Sequence, residues 1–315
     1  MSKIQDALSK LQRSRPDAAS AAPAIQPLAE AVDGNALPLQ KPSDPGARRR
    51  QHAYAGPALR VDHDALRAAG LMAPHSQARQ VADEYRQIKR PLLARAGGRG
   101  QSAVERGNLL MVGSAVSGEG KTFTCVNLCL SIATEKDWSV LLVDADVAKP
   151  HVSRLFGLAD APGLLDVLRD HNVRPASVVS PSDVPGLSVM PAGGRDEYAA
   201  ELLASERMEA VCRMLSTEDP RRMIVFDSSP ILQTTEAPVL ASHMGQMVMI
   251  VKADQTSRQQ LEAAIGKLDP DLPVSLVLNQ AQGGLLDQYA GSYYGYGQEY
   301  GRDADEQQPP ASARG

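Results

Sequence analysis

Along most of the chain, short apolar runs alternate with stretches of helical spacing. Largely apolar runs occur at Asn108–Gly113, Val140–Val143, Leu187–Met190, Met223–Phe226, Gln246–Val251 and Val274–Leu278. Runs of this kind are expected of parallel strands covered on both faces. Between them, Gly120–Thr134, Ala199–Leu215 and Ser257–Leu268 have the spacing of amphipathic helices. The second of these places Leu202, Leu203, Met208, Val211, Cys212 and Leu215 at its apolar positions. Another helix is predicted from Val81 to Arg90, ending at Pro91, because proline brings no N–H and clashes with the preceding turn. Strands separated by helices predict right-handed β-α-β crossovers, and so an α/β fold with a mostly parallel central sheet flanked by helices.

Upstream the rhythm fails. Residues 3–13 carry Ile4, Ala7, Leu8 and Leu11 at helical spacing, ringed by Lys3, Lys10 and Arg13. A helix this short is marginal in water without a surface to dock on. From Ser14 to Gln80, eight of the chain's 22 prolines are mixed with Ala, Gln, Ser and the run Arg48-Arg49-Arg50. Such a segment buries too little apolar area to offset its ordering entropy. The expected organisation is therefore a short amphipathic helix at 1–13, a disordered linker at 14–80, a globular domain at 81–280 and a flexible tail at 281–315.

Composition narrows the partners. Residues 1–106 hold 17 Lys and Arg against 10 Asp and Glu, whereas the whole chain has a net charge of −4, so the body is acidic. A basic leading segment on an acidic body suits attraction between subunits or toward an anionic surface. Aromatics make up 4% and no basic face is dense, so nucleic acid is not an expected partner. Cys125, Cys129 and Cys212 form no C-x-x-C, which argues against a disulfide scaffold or a structural zinc site and leaves them as core residues. No apolar run approaches the ~20 residues of a membrane span. The first residues lack the apolar stretch of a secretory signal. A cytoplasmic protein is expected.

The densest chemistry follows the first predicted strand. Ala115-Val116-Ser117-Gly118-Glu119-Gly120-Lys121-Thr122 fits the Walker A phosphate loop with alanine for the first glycine, between a strand and a helix. Gly118 and Gly120 let the backbone curl so that N–H groups converge on phosphate oxygens at a helix N-terminus. Lys121 supplies a point charge for the terminal phosphates, and Thr122 a hydroxyl for magnesium. Ser117 through Phe123 are the candidate nucleotide-binding residues. A magnesium–nucleotide site also needs carboxylates at the ends of neighbouring strands. Leu141-Leu142-Val143-Asp144-Ala145-Asp146 and Met223-Ile224-Val225-Phe226-Asp227 supply them. Asp227 would hold magnesium through a water, Asp146 would do so from the facing strand, and Asp144 is left as the base for an incoming hydroxyl; the roles of Asp144 and Asp146 can be exchanged.

Tyrosine is scarce, with 8 in the chain, yet Tyr289, Tyr293, Tyr294, Tyr296 and Tyr300 crowd together among Gly291, Gly295 and Gly297. Beside a magnesium–ATP site, a row of phenols is a candidate phosphoryl acceptor.

Taken together, the Gly118–Thr122 loop, Val143-Asp144-Ala145-Asp146 with Pro150, Phe226-Asp227-Ser228-Ser229-Pro230 and the tyrosine cluster resemble the bacterial tyrosine kinases, P-loop proteins related to the MinD/ParA ATPases. Met1–Leu8 and Glu84–Leu93 are similar to the autokinases of exopolysaccharide and exosortase loci. The resemblance implies ATP and magnesium as cofactors, and a second Walker motif at Leu141–Asp146 with Walker B at Ile224–Asp227. It implies adenine contact at Asn279 and an oligomerisation motif at Asp83, Arg86 and Lys89, where Asp replaces Glu and Lys replaces Arg. Lysine keeps the charge without arginine's bidentate fork. Relatives often carry Arg just before the proline, where this chain has Ala148-Lys149. The partners implied are a ring of further copies that phosphorylate each other's tails, a Wzz-like membrane chain-length determinant as activator, and a tyrosine phosphatase. Location would be peripheral to the inner membrane through that partner. The alternatives are a MinD/ParA-type ATPase that positions or recruits without kinase activity, and a scaffold that binds nucleotide only to assemble.

Overall fold

The computed structural model describes residues 54–98 and 104–281. The expected first helix, the linker up to residue 53 and the tail tyrosines lie outside them. The described residues form a seven-stranded sheet with flanking helices. Its strands are β1 (Leu109–Ser114), β2 (Ser139–Asp144), β3 (Ser180–Pro181), β4 (Leu187–Met190), β5 (Arg222–Asp227), β6 (Gln246–Lys252) and β7 (Val274–Asn279). They lie in the order β3-β4-β2-β5-β1-β6-β7. All neighbours are parallel except β3 and β4.

β1, β5 and most of β2 are buried on both faces, as their unbroken apolar runs require. Alternate residues feed two cores. Met111, Leu141, Val143, Ile224 and Phe226 face one side; Leu110, Val112, Leu142, Met223 and Val225 face the other. Each fully buried side chain of this size contributes ~1.5–3 kcal/mol. The register then sets up the chemistry, because Asp144 at the end of β2 is the direct partner of Asp227 at the end of β5. β5 also pairs with β1, whose end runs into the glycine-rich loop. Three carboxyl-end turns therefore meet at one edge of the sheet.

The helices are α1 (His63–Ala68), α2 (Ala78–Ala96), α3 (Lys121–Ala133), α4 (His151–Leu155), α5 (Leu164–Arg169), α6 (Pro175–Val178), α7 (Ala199–Leu203), α8 (Glu206–Glu218), α9 (Glu236–Ala241) and α10 (Arg258–Ile265). Three expectations need correction. The helix expected to stop at Pro91 continues to Ala96. Pro91 and Gln87, whose carbonyl the proline leaves without its helical donor, are both exposed, so water can take that bond. Beyond the proline, burial of Leu92, a Gln246 Nε2 bond to the Leu92 carbonyl (3.1 Å) and an Arg95 bond to Ser275 Oγ (2.8 Å) hold the helix on. The helix expected over Ala199–Leu215 is two, because Ser205 turns out to cap the N-terminus of α8, its side chain accepting from the Met208 N–H.

The third correction concerns the linker. Within the segment expected to be disordered up to residue 80, residues 54–80 are built onto the domain. Leu59, Val61 and Leu66 are buried in the α2/α3 core. Leu59 bridges to Ser182, and the Tyr54 hydroxyl accepts from buried Arg222 (2.7 Å). Asp62 caps α1 by accepting from the Asp64 and Ala65 N–H groups.

Candidate nucleotide and acceptor site

The loop between β1 and α3 has the backbone that its glycines permit. Gly118 and Gly120 sit at φ 81° and 100°, in the left-handed region that side chains rarely adopt. A Cβ at Gly120 would also lie 2.1 Å from Asn279 Nδ2. Asn279 ends β7 and donates from Nδ2 to the Glu119 carbonyl (2.8 Å), tying the last strand to the loop. Lys121 opens α3, and its ammonium donates to Ser114 Oγ at 3.0 Å across the loop. Burial lowers the Lys121 pKa, while Asp227, Asp146 and Glu119 pull it back up.

Thr122 Oγ1 donates to Asp227 Oδ2 at 2.7 Å, and the Cys125 thiol approaches Oδ1 at 3.4 Å. Burial raises the Asp227 pKa to about 6, against the lowering effect of the Thr122 bond and the Lys121 charge. Burial likewise keeps the Cys125 thiol protonated and able to donate. Asp146 accepts from Ser229 Oγ (2.9 Å) and from the Lys149 N–H (3.2 Å). Asp144 is different. Its Oδ2 accepts from both the N–H and the Oγ of Ser153 (2.7 Å each), while Oδ1 is buried without a partner. Burial lifts its pKa to about 7, more than the Ser153 bonds lower it; Asp227 and Asp146 push it further up.

Of these groups, Lys121, Thr122, Asp146 and Ser229 line a cavity of about 1100 Å³ at the carboxyl edge of the sheet, and Asp144, Asp227 and Cys125 are buried behind it. The cavity is lined by Ser117, Gly118, Gly120, Lys121 and Thr122 of the loop, which form its phosphate floor, and by Asp146, Ser229, Asn279 and Phe123. The position follows the rule that ligands of parallel α/β sheets bind beyond the strand C-termini. Phosphate fits this floor: paired left-handed glycines, a helix N-terminus and a lysine converge there. Among the described residues no group of three or more His, Cys, Asp or Glu is placed to hold a metal ion. A magnesium ion held by Thr122 and one carboxylate, with phosphate and water completing its shell, is the arrangement this donor set fits.

Most of the sequence-predicted residues come together here, with three differences. The Glu119 carboxylate braces the loop, accepting from the Val116 N–H (2.8 Å) and from the Thr256 hydroxyl. Asp144 lies behind the cavity wall, bonded to Ser153, and Asp146 on it, which suits Asp146 rather than Asp144 to meet an incoming hydroxyl. In the expected oligomerisation motif, Asp83 and Arg86 pair on the exposed face of α2 (2.5 Å), but Lys89 turns inward. Its ammonium meets the Ser131 carbonyl (2.6 Å), Thr134 Oγ1 (3.2 Å) and Glu135 (2.7 Å) at the C-terminal end of α3. Lys89 is thus committed within the chain. Sequence reading missed Cys125, Ser153 and Ser229, and also Gly70 and Leu71, which reach the cavity wall from the supposed linker. Leu71 is fixed there by a bond from Asn127 of α3 to its carbonyl (2.8 Å).

Fold and site together define a P-loop nucleotide-binding protein. The family model of the CobQ/CobB/MinD/ParA nucleotide binding domain matches residues 110–288, and the chain belongs to that family. Within it, the chain is similar to proteins named as bacterial tyrosine kinases. It is 28% identical over 162 residues to tyrosine-protein kinase wzc of Salmonella typhi, a match covering 51% of this chain and 22% of that protein. It is 33% identical over 156 residues to tyrosine-protein kinase YwqD of Bacillus subtilis, covering 49% and 64%. The solved VpsO kinase domain superposes with a TM-score of 0.50 at 25% identity, covering 64% of this chain and 98% of that domain. The chain thus spans about a fifth of the Salmonella relative and under two thirds of the Bacillus one.

Proposed function

We propose that the chain is an ATP-dependent protein-tyrosine kinase whose acceptors are Tyr289, Tyr293, Tyr294, Tyr296 and Tyr300 of a neighbouring copy. The observation that carries this is the cavity lined by Lys121, Thr122 and Asp146, with buried Asp227 bonded to Thr122 directly behind it. The similarity to named tyrosine kinases supports it. In the transfer, the phenol oxygen bonds to the γ-phosphorus, the bond from that phosphorus to the bridging oxygen of ADP breaks, and the phenolic proton leaves. Lys121 and the loop N–H groups orient the phosphates and neutralise charge, the main demand of phosphoryl transfer. Thr122 and Asp227 would hold magnesium, which would supply further charge neutralisation. Asp146, on the cavity wall, takes the phenolic proton; Asp144 holds the turn that carries it.

The wider role in this proposal is control of exopolysaccharide synthesis or export. A ring of copies is activated by a membrane chain-length determinant, which keeps the protein peripheral to the inner membrane. A tyrosine phosphatase reverses the modification. Among the described residues no helix is long and apolar enough to cross a membrane. Each phosphotyrosine adds about −1.5 to −2 charge, so several of them accumulated on one acidic body loosen the ring.

The test is incubation of the purified chain with magnesium–ATP and a phosphotyrosine immunoblot, beside Lys121→Met and a chain ending at residue 285. Signal lost in both variants is expected. Mixing full-length Lys121→Met with the tail-less chain should restore the signal if transfer runs between copies. ATP hydrolysis without phosphotyrosine would instead support a positioning ATPase of the MinD/ParA kind.

A further inference from the structure

The cavity has a second, unused wall. Besides the phosphate floor, the run Lys149-Pro150-His151-Val152-Ser153-Arg154 carries Lys149, His151 and Arg154 onto the cavity lining. All three are exposed. Arg154 Nη2 lies 3.5 Å from His151 Nδ1, and no ion pair with a carboxylate is formed by any of the three among the described residues. Several other cations of the domain, Arg169, Arg213, Arg222 and Arg258, each hold a carboxylate. Cations left open on the lip of a cavity suit an anionic partner that arrives from outside.

The chain itself contains such a partner. Residues 285–306 hold Asp287, Glu299, Asp303, Asp305 and Glu306 against one cation, Arg302, and the acids flank the tyrosines. Asp287 stands two residues before Tyr289, and Glu299 directly precedes Tyr300. The lip also sits next to the proposed base. The Lys149 N–H bonds to Asp146, so a peptide anchored on Lys149 and Arg154 presents its phenols at that carboxylate.

We infer that Lys149, His151 and Arg154 form an acceptor subsite that recognises the acidic, tyrosine-bearing segment 285–306 of a second copy of this chain. This rests on the kinase reading for its purpose, but the binding it describes is separable from catalysis. Phosphate added to one tyrosine strengthens the attraction of the segment for the lip, so a singly phosphorylated tail is held for further transfers.

The experiment measures fluorescence anisotropy of a labelled peptide of residues 285–306 with the full-length protein and magnesium–ADP, at low and moderate salt. Arg154→Glu should weaken the peptide about five- to tenfold, as expected when one of a few exposed charge contacts is reversed. A peptide with Asp287→Asn and Glu299→Gln should bind the wild type more weakly and Arg154→Glu no worse than the acidic peptide does. Affinity for a fluorescent ADP analogue should stay within twofold. Equal peptide affinity in wild type and Arg154→Glu, no binding of the peptide to the wild type, or an equal loss of ADP affinity would each overturn the subsite. The kinase reading fails differently, through absence of phosphotyrosine on the wild-type chain, and leaves these affinities untouched.

Discussion

Replacing Asp144 by Asn should make the nucleotide-free protein more stable above neutral pH. In the folded chain its carboxyl is raised from 3.8 to about 7, chiefly by burial. Each unit corresponds to ~1.4 kcal/mol, so this separation is worth ~4 kcal/mol. The folded state keeps a proton that the unfolded chain has already released. Stability is therefore undiminished below about pH 4, falls as pH rises toward 7, and stays at the lower level above it. Asparagine has no charge to bury. Its amide oxygen can accept both Ser153 bonds, but its NH₂ falls where Oδ1 has no partner, at a cost of ~1–3 kcal/mol. The net expectation is a variant ~1–3 kcal/mol more stable than wild type at pH 8 and no more stable at pH 4.5. Asp227, also raised by burial, slopes the same way up to about pH 6 in both proteins, so the difference between them above pH 6 reports Asp144. Urea unfolding at fixed pH from 4.5 to 8.5, without nucleotide, reads it. Parallel curves with a constant offset would refute a neutral buried Asp144, as would a variant less stable than wild type at pH 8.

Three further outcomes are expected. Gly120→Ala should abolish nucleotide binding by titration calorimetry, with a loss of stability of ~1–3 kcal/mol, because the added Cβ meets the Asn279 side chain at a left-handed backbone position; nucleotide affinity within threefold of wild type would contradict the loop geometry. Lys89→Met should cost ~1–3 kcal/mol in chemical denaturation, as it removes a buried ammonium bonded to the Ser131 carbonyl, Thr134 and Glu135, whereas Arg86→Ala, on the exposed face, should change stability by less than ~1 kcal/mol while weakening self-association in sedimentation velocity. Cys125→Ala should raise the magnesium concentration needed for half-maximal nucleotide binding a fewfold, with Cys125→Ser restoring it, because a hydroxyl can replace the thiol as donor to Asp227.

The parallel sheet was legible because its central strands are apolar on both faces, and the phosphate floor because a Gly-Lys-Thr turn after such a strand leaves few alternatives. What stayed hidden depends on contacts between residues far apart in the chain. Nothing near Pro91 shows that Gln246 and Ser275 will secure the turns beyond it. The inward turn of Lys89 is set by Ser131 and Glu135. The division of labour between Asp144 and Asp146 cannot be read from a two-residue spacing, because it is Ser153, nine residues on, that claims Asp144. α4 and α5 are too short to show a helical period.

The same logic explains the misread linker, with a consequence for how the amino-terminal segment is tested. Proline and alanine are frequent in residues 14–80, and a composition average conceals Leu59, Val61 and Leu66, which bury themselves in the core that α2 and α3 also line, with Leu59 and Val61 bonded to the β3–β4 turn. Burying three such side chains favours the docked state by ~4–9 kcal/mol before the ordering cost. The docked segment then carries Gly70 and Leu71 to the cavity wall, where Asn127 holds Leu71 from the nucleotide-binding helix. A chain beginning at residue 78 therefore loses part of the nucleotide site along with any amino-terminal contact, and is expected to bind nucleotide more weakly and to melt earlier. A chain beginning at residue 54 keeps the wall and should match the full chain in both. If the 78-start and 54-start chains bind nucleotide equally, the segment is no part of the site. If they differ, a partner that pulls on residues before 54 has a physical route to the nucleotide through Leu71 and Asn127.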